Sequence, residues 1–112
     1  MKYTSRIAVQ VSDSPPQQAS PQWSFLTNHA QVLLSVAREP DIRLREIGEE
    51  VGITERAVHR ILGELESAGY LSRERDGRRN RYTITRDRPL PDRMARHQSV
   101  DHLLRLLVET SA

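Results

Sequence analysis

Three side chains that can bind nucleic-acid bases or phosphates fall at helical spacing in the middle of the chain. Arg56, His59 and Arg60, together with Gly63, repeat at steps of three and four residues and so share one face of a helix. A guanidinium can donate two hydrogen bonds to the acceptor edge of a guanine, and an imidazole can donate or accept beside it. The glycine allows the helix backbone to approach a partner closely. This pattern favours a helix that reads base edges in the DNA major groove.

The opposite face of the same stretch is apolar and indicates which side of the helix is buried. An i, i+3, i+4, i+7 stripe is formed by Val58, Ile61, Leu62 and Leu65. Thr54 provides an N-cap hydroxyl, and Gly69 suits the position just past the helix end. A shorter helix over residues 46–51 is predicted before it, with Arg45 as its cap and a turn at Gly52. Gly48 lies inside this shorter helix and indicates a close helix crossing, because glycine otherwise destabilises a helix interior.

An arginine-rich hairpin is predicted directly after these two helices. The pair Asp76-Gly77 between two strand-like runs is a strong turn signal. A turn at these two residues places Arg75 opposite Arg78 and Leu71 opposite Tyr82. Five arginines surround the tip, namely Arg73, Arg75, Arg78, Arg79 and Arg81. We expect them to bind phosphates or to enter the minor groove, with Asn80 as a polar partner. The alternative is that they only keep the hairpin soluble.

The segments before the helix pair provide one helix and a tail. Residues 1–22 are rich in Pro, Gln and Ser towards their end and predict a mostly disordered tail. A first helix begins after Thr27 or Asn28 as N-cap and is stopped by Pro40. A short strand is expected over residues 42–44. Trp23 and Phe25 are expected to cover the core, the alternative being a stacking pair for a base or a ligand.

A leucine-rich helix is predicted at the C-terminus, after an extended linker that contains two prolines. Ser99 is its expected cap, and one stripe is formed by Val100, Leu103, Leu104 and Leu107. We expect this stripe to pair with a second copy and form a homodimer. The alternative is that the helix packs back on the first helix of its own chain.

Composition excludes several classes of function. The 112 residues favour one domain, and 37% apolar residues allow one modest core. The absence of cysteine removes disulfides, thiolate nucleophiles and cysteine zinc sites, and no apolar run is long enough to span a membrane. A cytoplasmic protein is therefore expected. No nucleophile elbow or phosphate loop occurs, so no catalytic residue, metal or cofactor is predicted. Asp101, His102 and Glu109 form only an incomplete metal-binding pattern.

The stretch LREIGEEVGITERAVHRILGELESAGYLSRERDGRRNRYTIT closely resembles winged-helix transcriptional regulators of the MarR and ArsR type. The resemblance covers about residues 26–85. The apolar steps of the helix-turn-helix are matched by Ile47, Val51, Ile53, Val58 and Ile61. Gly48 stands where the two helices cross, and Gly52 stands in the turn. The resemblance implies a mainly α fold with a small β-hairpin wing, a winged helix-turn-helix followed by a C-terminal helix.

What the resemblance implies about function is sequence-selective binding to double-stranded DNA by a transcriptional regulator that is not an enzyme. The DNA-binding domain spans residues 23–88, and residues 89–112 form the linker and the dimerisation helix. The residues expected at DNA are Thr54, Glu55, Arg56, His59 and Arg60 in the third helix, and Arg75, Arg78, Arg79, Asn80 and Arg81 in the wing. For Glu55 the preferred interpretation is that it stabilises the helix N-terminus. The alternative for Arg56 and Arg60 is a solvated helix surface on which they pair with Glu64 or Glu55. The alternatives are a winged-helix module that binds a protein instead of DNA, and a repressor that responds to a metal or to an unidentified small-molecule effector.

Overall fold

A computed structural model describes residues 21–109 of the chain. The elements follow in the order α1 (Asn28–Arg38), α2 (Leu44–Val51), α3 (Glu55–Ser67), β1 (Leu71–Asp76), β2 (Arg79–Ile84), a short 3-10 helix (Arg93–Ala95), α4 (Val100–Leu104) and a π-helical continuation (Arg105–Glu109). The mainly α fold with a two-stranded antiparallel wing is the predicted one. The predicted disorder of the N-terminal tail falls almost entirely on residues 1–20, which lie outside the described part.

Helix α1 is bounded by an N-cap residue at its start and by a proline shortly after its end. The Thr27 hydroxyl accepts a hydrogen bond from the backbone N–H of Ala30 at 3.1 Å, as an N-cap does. The helix ends at Arg38, two residues before Pro40, because proline disfavours helical backbone in the residue that precedes it. The core-facing side of α1 buries Val32, Leu33 and Val36.

Helix α2 begins earlier than the sequence predicts. It starts at Leu44, and the Glu46 carboxylate accepts the free backbone N–H of Arg43 at 3.2 Å. Arg45 is therefore inside the helix and is not its cap. The short strand expected over residues 42–44 is wrong, because Leu44 is already helical and Tyr82 N–H donates instead to the Pro40 carbonyl, at 2.9 Å.

The crossing of α2 and α3 depends on Gly48. A Cβ atom on this residue would lie 2.7 Å from the backbone oxygen of Ile53 and 3.6 Å from Cγ2 of Val58. Only a residue without a side chain permits this approach, which confirms the predicted close crossing. Gly52 ends α2 with φ +87°, a left-handed conformation that glycine adopts without strain, and so turns the chain into α3.

The hairpin has a different register from the predicted one. Leu71 lies opposite Ile84, Arg75 opposite Asn80 and Asp76 opposite Arg79, so the two-residue loop is Gly77-Arg78. Gly77 has φ +67° and no other residue of the loop has positive φ, which suits a turn with glycine at its first central position. The shift equals two residues in the paired strand, and a two-residue shift leaves each side chain on its predicted face.

One core joins the helices, the base of the wing and the C-terminal helix. Its buried apolar residues are Val32, Leu33, Val36, Ile42, Ile47, Val58, Ile61, Leu62, Leu65, Leu71, Tyr82, Val100 and Leu104.

The expected core position of Trp23 and Phe25 is wrong. Both precede α1 in irregular backbone, pack edge-to-face on each other with ring centroids 5.0 Å apart, and are 62% and 90% exposed. Val100 and Leu104 are instead fully buried in the core. Between residues 21 and 109, no helix is both long and apolar enough to cross a bilayer.

Candidate nucleic-acid interface

The face of α3 that points away from the core carries the residues predicted to read bases. Thr54, Glu55, Arg56, His59 and Arg60 are all exposed. Four of them, without Glu55, line a shallow surface depression of about 460 Å³. No ion pair of Arg56 or His59 occurs within residues 21–109, so their donors face solvent.

The opposite side of α3 is anchored in the core, and this fixes the direction of the exposed face. Val58 and Ile61 are at most 1% exposed, and Leu62 and Leu65 are also buried. The Thr54 hydroxyl accepts the backbone N–H of Ala57 at 3.0 Å, which confirms its role as N-cap. A helix held by a full apolar stripe has little freedom to rotate about its axis, because rotation would expose that stripe.

Arg60 belongs to a three-residue polar cluster that reaches from α3 to α1. His29 Nε2 lies 2.6 Å from Glu64 Oε1, and Arg60 Nη1 lies 3.4 Å from Glu64 Oε2. The hydrogen bond from His29 is the main reason why the pKa of Glu64 is lowered from its ordinary value, with Arg60 adding to it. Glu64 is therefore a carboxylate at neutral pH, and its shorter contact is the one with His29.

The wing divides its polar residues between two faces. Because opposite residues of an antiparallel pair share a face, Arg75 and Asn80 lie on the side of Leu71 and Tyr82, whereas Arg79 and Arg81 lie on the other side. All four arginines predicted at DNA are exposed, and Asn80 is half-buried. Arg78 and Arg81 form no ion pair within residues 21–109, and both remain available for an anionic partner.

A cleft between the wing and the start of α2 contains two basic residues that sequence reasoning missed. Arg43 and Arg45 line one wall of this cleft of about 530 Å³, and Arg78, Arg79 and Asn80 line the other. Asp41 and Glu55 also line it, and Arg79 Nη1 lies 3.5 Å from Asp41 Oδ2. The sequence feature that could have identified these two residues is their position on either side of Leu44, at the start of the helix-turn-helix.

The base of the wing is tied to the C-terminal helix by a cluster of ion pairs. Arg86 Nε donates to Asp101 Oδ1 at 2.6 Å, and the two terminal nitrogens of Arg86 each lie 3.0 Å from a Glu109 oxygen. Arg105 lies 2.9 Å from the second Asp101 oxygen. The hydrogen bond from Arg86 is the main cause that lowers the pKa of Asp101, and Glu109 and Asp101 raise the pKa of Arg86. The C-terminal end of the wing is therefore also held by ion pairs with the C-terminal helix.

The residues predicted to pair two copies are divided by the fold. Val100 and Leu104 lie inside the core of their own chain, which is the alternative considered for this helix. Leu103 is half-buried and Leu107 is 43% exposed. Dimerisation through the C-terminal helix stays a prediction. Of the four residues of the stripe, only Leu103 and Leu107 are accessible for it in this conformation.

Asp101, His102 and Glu109, which form the incomplete metal-binding pattern of the sequence, have other partners in the structure. In the part of the chain that the structure describes, no three His, Cys, Asp or Glu side chains are grouped so as to hold a metal ion. The carboxylates of Asp101 and Glu109 are both engaged by Arg86. His102 Nδ1 instead accepts the backbone N–H of Ser99 at 3.1 Å. The arrangement offers cationic donors to a partner.

Comparison with known proteins gives a family and several similar chains. The model of the MarR family matches residues 24–81. An uncharacterized protein of Methanocaldococcus jannaschii is 33% identical over 66 residues, which are 58% of this chain but only 14% of that protein.

Solved structures that resemble the chain include the PcaV transcriptional regulator from Streptomyces coelicolor, with 24% identity and a TM-score of 0.46. The match covers 73% of this chain and 64% of PcaV. Lactococcus lactis ZitR in complex with DNA is 18% identical with a TM-score of 0.44, over 74% of this chain and 60% of ZitR.

Proposed function

The chain belongs to the MarR family, and from this premise we propose that it is a transcriptional regulator that binds double-stranded DNA sequence-selectively. Helix α3 would lie in the major groove, where Arg56 and Arg60 would bind guanine edges and His59 a neighbouring base. Thr54 and Glu55 stand at the start of the helix, and Thr54 would touch a phosphate. The Glu55 carboxylate stabilises the positive N-terminal end of the helix dipole and would accept a hydrogen bond from a cytosine amine.

The observation that carries the proposal is the two-sided character of α3. One side is fully buried and holds the helix in place, and the other presents Arg56, His59 and Arg60 to solvent. A protein-binding surface would be expected to present apolar or acidic residues at this position. The exposed side instead presents, in Arg56, His59 and Arg60, donors that match the acceptors of the major groove.

The wing and the cleft beside it would hold the DNA backbone. Arg78, Arg79 and Arg81, with Asn80, would bind phosphates or reach the adjacent minor groove, and Arg75 would add charge from the other face of the hairpin. Arg43 and Arg45 face the wing across the cleft, so a phosphodiester strand between them would be bound from two sides. These contacts would raise affinity for every sequence and set the position of α3.

The experiment that tests the function is selection of bound duplexes from a random DNA library, followed by affinity measurements at several salt concentrations. We expect one enriched sequence, bound more tightly than a scrambled duplex of the same length by a factor of about 10³ or more. Two half-sites about 10 base pairs apart would indicate a homodimer, and a single half-site a monomer. No enrichment, together with no binding of any duplex at low salt, would contradict the proposal.

A further inference from the structure

His29 lies outside the base-reading face, yet it contacts the carboxylate of Glu64, which also touches Arg60. Glu64 is four residues after Arg60 on α3, and its Oε1 is 2.6 Å from His29 Nε2 of α1. The ionised carboxylate only accepts hydrogen bonds, so the imidazole carries its proton on Nε2. A contact of this length between an N–H donor and a carboxylate is a strong charge-assisted hydrogen bond.

The contact between Glu64 and Arg60 is much weaker. Arg60 Nη1 lies 3.5 Å from Oε1 and 3.4 Å from Oε2 of Glu64, beyond the usual hydrogen-bond length. The order also disfavours the pair, because an acidic residue that precedes a basic one by four positions along a helix gives the better ion pair. Glu64 therefore leans towards α1 and leaves the Arg60 guanidinium largely unoccupied.

We propose that His29 is a specificity-determining residue that holds Glu64 and so keeps Arg60 available for a guanine. This inference rests on the proposed function. Without the imidazole, both oxygens of Glu64 become available to Arg60, and a guanidinium binds a carboxylate with the same two-pronged geometry that it uses on guanine. Glu64 would then compete with the base. His29 is a positioning residue in this account, since it acts through Glu64 and does not itself touch DNA.

The test measures affinity for the selected duplex and for a scrambled one, and uses their ratio as the readout. His29→Leu is expected to lower this ratio about two- to fivefold, the range of an exposed ion pair. His29→Gln is expected to keep most of the selectivity, because its amide can still donate to Glu64. In the double variant His29→Leu with Glu64→Gln, the ratio is expected to return towards the wild-type value.

A second measurement separates this role from a general structural one. When Arg60 is already alanine, His29→Leu is expected to leave the ratio unchanged, because there is no guanidinium for Glu64 to capture. The proposal is overturned if His29→Leu leaves selectivity unchanged in the wild-type background. It is also overturned if the loss persists without Arg60 or is not reversed by Glu64→Gln. If the unaltered chain binds no duplex at all, the proposed function itself has failed, which is a distinguishable result.

Discussion

Helix α3 and the wing are both basic and exposed, but they are supported very differently. Helix α3 buries four large apolar side chains along its length. The wing buries only Leu71 and Tyr82, at its base, and its tip projects into solvent. Hydrogen bonds to bases require side chains in fixed positions, whereas binding of phosphates depends mainly on charge. Under the proposed function, this difference would make α3 the source of selectivity and the wing a source of affinity.

The largest expected effect concerns the support of α3. Ile61→Ala removes a side chain that is 1% exposed, and we expect it to lower the free energy of unfolding by about 2–5 kcal/mol. Thr83→Ala, on the exposed side of β2, should change it by less than about 0.5 kcal/mol. Urea denaturation of both variants measures the difference. Equal losses would show that α3 and the wing are supported alike.

The wing is tested by removing its charges. Changing Arg78, Arg79 and Arg81 together to alanine should reduce the slope of log affinity against log salt by about 2.7, since each phosphate contact contributes about 0.9. The preference for the selected over the scrambled duplex should change little. A charge-matched control replaces Arg38, Arg93 and Arg96, which are exposed on other elements. If the wing variant and the control variant have the same salt slope, the wing does not bind DNA phosphates.

Two glycines of the helix pair give opposite predictions for the same substitution. Gly48→Ala places a Cβ 2.7 Å from a backbone oxygen and should destabilise the protein by about 1–3 kcal/mol. Gly63→Ala meets no atom within 4 Å and should stabilise it by up to about 1 kcal/mol. Thermal unfolding tests both signs. If the backbone at Gly63 approaches DNA closely, the second variant will also bind DNA more weakly despite its greater stability.

The smallest effect is expected at the attachment of the wing to the C-terminal helix. The folded pKa of Asp101 is lowered, so its contribution to stability is present above its ordinary value of 3.8 and is lost as the pH falls below it. Asp101→Asn removes that contribution. The stability of the variant should therefore decline less steeply than that of the wild type between about pH 5 and pH 3. Parallel pH profiles would show that the Arg86 contact with Asp101 does not stabilise the fold.

Local signals in the sequence were sufficient for several features that depend on neighbours in the chain, although not for the cap of α2 or the register of the hairpin. The caps at Thr27 and Thr54, the glycine turn at Gly52 and the buried stripe of α3 are all set by residues within one or two helical turns. The fold class followed from their order. The exposed face of α3 followed as well, because the side opposite a buried stripe is known once that stripe is known.

Features that depend on contacts distant in the chain were missed or misjudged. Arg43 and the wing line one cleft, and the chain is held there by the hydrogen bond from Tyr82 N–H to the Pro40 carbonyl, which joins residues 42 positions apart. His29 meets Glu64 across 35 positions. Trp23 was expected to cover the core because aromatic residues contribute much of the buried surface of a small core. The apolar stripe that contains Val100 and Leu104 was recognised, but its spacing could not indicate that it closes the core of its own chain instead of pairing with a second copy.

Base reading by α3 is tested by the affinity of Arg60→Ala for a set of duplexes in which each base pair of the selected site is changed in turn. The variant is expected to lose about 1–3 kcal/mol on the selected site and to become indifferent to the base pair at one position only. Its salt slope should stay close to that of the wild type. A uniform loss on every duplex would contradict base reading by α3.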